Sequence, residues 1–86
     1  MPTISYFYGI KISINPDDHN PPHFHVKYAE FGAQVCMKDG QILAGNLPPK
    51  ARALTEEWRI LNIEALLENW QLMIEFKKLK PIKGLN

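Results

Sequence analysis

All three histidines of this 86-residue chain fall within seven positions, in the run Asp17-Asp18-His19-Asn20-Pro21-Pro22-His23-Phe24-His25-Val26. Imidazole has an ordinary pKa near neutrality and serves as acid, base or metal ligand. Two chemistries suit the group. His23 and His25 can work as a catalytic pair on a phosphodiester, one ring removing a proton and the other delivering one, with no cofactor. Alternatively His19, His23 and His25, helped by Asp18, can hold a divalent metal such as zinc and leave a coordination position open. The spacing H-x-x-x-H-x-H matches no standard zinc motif, and the single cysteine, Cys36, offers no thiolate pair. The metal-free reading therefore leads.

The residues around the histidines say how they must be carried. Asn20-Pro21-Pro22 cannot be helical, because each proline fixes φ and the residue before a proline is pushed toward extended geometry. His19 therefore belongs to a loop. From His23 to Ala29 polar and apolar residues alternate with period two, the pattern of a half-buried strand. Phe24, Val26 and Tyr28 should face the core, and His23, His25 and Lys27 the other side, where both rings are expected to be accessible.

Other elements follow from the same patterns. Thr3 to Ile14 reads as one long strand or bent ribbon, with a bulge or sharp bend at Gly9. Ala33 to Lys38 and Gln41 to Gly45 read as a hairpin about Asp39-Gly40, a pair suited to a type I′ turn. A two-residue loop there sets Lys38 opposite Gln41, Met37 opposite Ile42 and Val35 opposite Ala44, with the last two pairs on the core side. Leu47-Pro48-Pro49 opens a helix, and no glycine or proline interrupts the chain from Lys50 until Pro81. Its apolar residues occupy two faces of one cylinder, which predicts a break near Asn62, with Asn62 as an N-cap. Trp58 and Trp70 read as core anchors. The expected fold is α+β, a four-stranded antiparallel sheet followed by two C-terminal helices packed on one face. It makes a single domain over residues 1–86, with strands about 3–45, helices about 49–76 and a tail over 77–86.

In this arrangement Lys11, Ser13, His23, His25, Lys27, Gln34, Cys36 and Lys38 share the face turned away from the isoleucines. The surface is polar and basic. Lysines neutralise phosphates, so Lys11, Lys27 and Lys38 with Ser13 are candidate nucleic-acid contacts beside His23 and His25. Composition agrees with a small folded domain, since 45% of the residues are hydrophobic and charge totals only +1. That charge is unevenly placed. Lys77, Lys78, Lys80 and Lys83 concentrate in the tail, leaving six basic against nine acidic residues before it, a body charge of −3. Such a tail docks on an acidic partner, on RNA or on its own body, or stays solvated. No basic leader precedes an apolar run and no stretch approaches a membrane span, so a cytoplasmic protein with no membrane partner is expected.

Taken together, Met1-Pro2-Thr3-Ile4, Phe7, Gly9-Ile10, Asp18-His19, Pro21-Pro22-His23-Phe24-His25-Val26 with Tyr28, Gly45-Asn46-Leu47-Pro48, Glu57-Trp58 and Leu66-Leu67-Glu68-Asn69-Trp70 resemble the small prokaryotic family called domain of unknown function 4160. The resemblance covers nearly the whole chain, though the lysine-rich tail departs from the family pattern. It implies a toxin-antitoxin-type component working with a second small protein encoded nearby. Combined with the basic face, this leads to a component that binds RNA or another nucleic acid as the first expectation, with metal-independent cleavage of RNA by His23 and His25 as an option within it. A metal-binding protein or metal-dependent hydrolase is the second, and a non-catalytic interaction module the third.

Overall fold

The computed structural model describes residues 2–85. Five strands, β1 (Thr3–Phe7), β2 (Ile10–Ser13), β3 (His23–Tyr28), β4 (Phe31–Cys36) and β5 (Ile42–Asn46), pair in chain order as one antiparallel sheet. Helices α1 (Pro49–Leu61) and α2 (Ile63–Ile74) follow. The α+β class and the helical pair are as expected, but the sheet has five strands, not four. The additional strand arises at Tyr8-Gly9, where φ is +49° and +79°. Positive φ at both central residues makes a tight reversing turn, so Phe7 lies opposite Ile10 and the Thr3–Ile14 segment is a hairpin rather than a bent ribbon. Gly9 announced a bend. That Tyr8 would join it in left-handed geometry carried no signal.

The hairpin between β4 and β5 also departs from its expected register. Only Gly40 has positive φ there, and the Asp39 carboxylate instead accepts the Gln41 N–H at 2.9 Å. The loop accordingly widens: Gly40 N–H donates to the Cys36 carbonyl at 3.0 Å and Cys36 N–H to that of Gln41 at 2.8 Å. A bulge between Gln34 and Val35 then pairs Val35 with Ile42 and Gln34 with Ala44. Ala44 thus lies on the open face and is exposed, while Met37, anchored through its N–H to the Pro22 carbonyl at 2.9 Å, stays buried.

Ile10, Ile12, Ile14, Phe24, Val26 and Val35 form the sheet side of the core. Trp58 of α1 sits at its centre, stacked on Phe7 at 5.5 Å and edge-on to Phe24 at 5.8 Å. Leu66, Trp70 and Met73 of α2 complete it. The helices break at Asn62 as predicted, but its side chain caps no N-terminus. It donates to the Trp58 carbonyl at 2.9 Å and so closes the end of α1.

The tail is packed on the body. Ile82 N–H donates to the Ile4 carbonyl at 2.7 Å, and Leu79, Ile82 and Leu85 lie against the core. Buried Asn69 clamps Lys80 from both sides, accepting its N–H at 2.7 Å and donating to its carbonyl at 2.8 Å. Trp58 Nε1–H finds its acceptor in the Lys83 carbonyl at 2.9 Å. These bonds give buried polar groups the partners they need, and that is what orders a segment of such basic composition. Among the described residues, no helix is long and apolar enough to cross a membrane.

Candidate functional site

On β3 the expected division of side chains is found: Phe24 and Val26 are buried, while His23, His25 and Lys27 take the other side. Cross-strand partners confirm which residues share that side. His25 pairs with Ser13 and Gln34, Lys27 with Lys11 and Gly32, and His23 with Cys36. Accessibility differs from expectation. The His23 side chain is only 9% exposed, and Ser13 and Cys36 are buried too. Alternation specifies the side of a strand but not what lies over it. Here the loop before β3 folds back on its first residues, and α2 brings the Trp70 indole to 5.4 Å from the His23 ring. The Lys27 end of the strand stays open. Lys38 lies beyond β4 in an exposed turn and so leaves the face.

Asp18 is delivered by a turn that holds itself together. Its own N–H donates to the Asn15 carbonyl, Asp17 N–H donates to Asn15 Oδ1, and Asn15 N–H donates to Asp18 Oδ2, each at 3.1 Å. The carboxylate is thereby aimed at β3. Oδ2 lies 2.9 Å from His25 Nε2, and Oδ1 lies 3.5 Å from His23 Nε2. The two rings stand 5.4 Å apart between centroids. One ligand atom from each of Asp18, His23 and His25 lies within 4.8 Å of the other two. His19 is exposed and stands outside this group, so of the four candidate ligands the fold brings together Asp18, His23 and His25 and leaves out His19.

A carbonyl decides which nitrogen of His23 faces the cluster as an acceptor. His23 Nδ1 is 2.8 Å from the Pro21 oxygen, which can only accept, so Nδ1 carries a proton. In the neutral ring Nε2 then bears a lone pair, and that lone pair looks toward Asp18 Oδ1. Two acceptor atoms that face each other where Asp18 is 12% exposed are satisfied by a shared hydrogen, a bridging water or a cation beside them. Histidines that ligate metals characteristically donate their second nitrogen to a carbonyl or carboxylate, as His23 does.

His25, 20% exposed, forms the border between this cluster and a shallow groove of about 430 Å³ on the open sheet face. Lys11, Ser13, Lys27 and Gln34 also line it, over a floor that includes Gly32, Ala44 and Gly45. Gly45 has φ of +78°, and a Cβ there would overlap the Gly32 carbonyl, so glycine is required by the bulged pairing. Two contributors escaped sequence reasoning. Trp70, assigned only to the core, also walls in His23, and nothing in its helical periodicity indicates this. Tyr6, the cross-strand partner of Lys11, joins the open face. The missing signal for Tyr6 was the Tyr8-Gly9 turn, which sets that register.

The model of the family described as Domain of unknown function (DUF4160) matches residues 9–71, a span containing Asp18, His23, His25 and all of the groove lining. No curated protein and no solved structure matches the chain.

Proposed function

The chain belongs to the DUF4160 family, and for it we propose a metal-dependent function centred on Asp18, His23 and His25. The observation that carries the reading is the fixed orientation of His23, whose Nδ1–H is held by Pro21 while Nε2 is turned toward Asp18. Two imidazoles and one carboxylate suit a borderline divalent ion of the zinc class and leave room for further ligands. Such an ion supplies a water of lowered pKa or polarises an oxygen of a substrate, the chemistry of a metal-dependent hydrolase. The metal-free alternative, with His23 and His25 as acid and base, needs both rings to reach a substrate. His23 is covered by Trp70, which weighs against it.

Calorimetric titration of chelator-treated, untagged protein with zinc, nickel and manganese tests the proposal. One ion should bind per chain, and Asp18→Asn, His23→Ala and His25→Ala should each lower affinity by at least about 100-fold, because a three-ligand site does not survive loss of a ligand. His19→Ala should bind normally. Absence of uptake by the unaltered protein, or uptake indifferent to all three substitutions, would discard the metal centre.

A further inference from the structure

Registers across the sheet place Tyr6, Lys11, Lys27 and Gly32 in one transverse row, each directly opposite the next on β1, β2, β3 and β4. Tyr6 is 67% exposed, and Lys11 and Lys27 are exposed as well. Neighbouring strands lie roughly 4.8 Å apart, so an aromatic ring and two ammonium groups occupy roughly 10 Å of open surface. Two like charges directly opposite each other on a sheet are unfavourable unless something compensates them. No acidic side chain does so among the described residues: the ion pairs of lysine are Lys77 with Glu75 and Lys80 with Glu68. One residue pair along the strands runs the second row, Ser13, His25 and Gln34, which meets the Asp18 cluster through His25.

We infer that this row binds single-stranded nucleic acid, with a base stacked on Tyr6, a phosphate between Lys11 and Lys27, and the adjoining backbone directed toward His25. Three features favour this ligand over a bare anion. Stacking needs an exposed aromatic beside the cations, and Tyr6 provides one. The groove is shallow and floored at Gly32, Ala44 and Gly45, so it admits an extended chain lying across the strands. Gln34, half-buried at the groove, offers an amide donor and acceptor beside the two cations. The assignment deepens the metal-centre reading by naming the substrate class of that site, and it relies on that reading only for what happens at His25. Binding itself depends on the row.

Fluorescence anisotropy with a labelled single-stranded oligoribonucleotide of about ten nucleotides, in chelator and therefore without metal, separates the two. Binding should weaken with salt, and Lys11→Glu or Lys27→Glu should weaken it at least about tenfold and flatten the salt dependence by about 0.7 per lost phosphate contact. Tyr6→Ala should cost at least about fivefold with the salt slope unchanged, since stacking releases no counterion. Lys50→Glu, on the exposed start of α1, serves as the control and should bind normally. Circular dichroism confirms that the variants are folded. No binding by the unaltered protein, equal losses in Lys50→Glu and Lys27→Glu, or competition by inorganic phosphate as effective as by the unlabelled oligonucleotide would each overturn the inference. None of these results touches metal uptake, which stands or falls on its own titration.

Discussion

The molecule contains two clusters in which charged side chains are taken out of water, and they are finished to different degrees. Around Arg59, 7% exposed, the guanidinium gives Nε–H and Nη2–H to the two oxygens of Glu56 at 2.8 and 2.6 Å, and Nη1–H groups to the Met37 and Lys38 carbonyls at 3.0 and 3.2 Å. The fork is bidentate and nearly saturated. Gly40 lies so close beneath it that a Cβ would strike Glu56 Oε1 and Arg59 Nε. Around Asp18, by contrast, one contact is a good hydrogen bond and the other a 3.5 Å approach between atoms that both accept when His23 is neutral. A closed cluster joins α1 to the β4–β5 turn. The unfinished one, at the border of a groove, is where the proposed ion would sit.

If that contrast is sound, stability and ligand binding should separate cleanly between the two places. The largest effect expected is from Arg59→Ala, which strands two carbonyls and the Glu56 carboxylate. Urea denaturation should show a loss of about 3 kcal/mol, at the low end for a buried pair because Glu56 is partly exposed. Asp18→Asn in metal-free protein should change stability by less than about 1 kcal/mol. Comparable losses from both would erase the distinction.

Metal should act in the opposite sense. At about 100-fold excess over its dissociation constant, an ion that binds only the folded chain stabilises it by about 2.7 kcal/mol. Thermal unfolding should record that gain in the unaltered protein and in His19→Ala, and at most about 0.4 kcal/mol in Asp18→Asn, whose affinity is at least about 100-fold lower. An Asp18→Asn protein that gains as much as the unaltered one would mean that the ion sits elsewhere.

The smallest effect is on pH dependence. The hydrogen bonds from Arg59, and then its charge, hold the Glu56 carboxyl below its ordinary value of 4.5. A group whose pKa is depressed in the folded state adds stability that is complete above the ordinary value and is lost as pH falls through the folded one. Urea midpoints measured from about pH 6 to about pH 3 should therefore fall less steeply in Glu56→Gln than in the unaltered protein. Identical slopes would show that the Arg59 cluster contributes nothing to acid sensitivity.

What the sequence determined by itself was local. Prolines 21 and 22 and the period-two run after them were enough to put His23 and His25 on one side of a strand and Phe24 and Val26 on the other, because backbone pleat alone dictates that alternation. The break at Asn62 was equally readable, since one exposed helix cannot bury two apolar faces. Tertiary structure decided the rest. His23 is covered because α2 returns Trp70 to it, and no pattern within β3 refers to a helix some forty residues later. Asp18 rather than His19 joins the cluster because hydrogen bonds within the Asn15–Asp18 turn aim it there, a choice between adjacent residues that spacing does not make. The basic tail is ordered because Asn69 and Trp58 had polar atoms to satisfy on burial, and its main-chain carbonyls were the partners within reach.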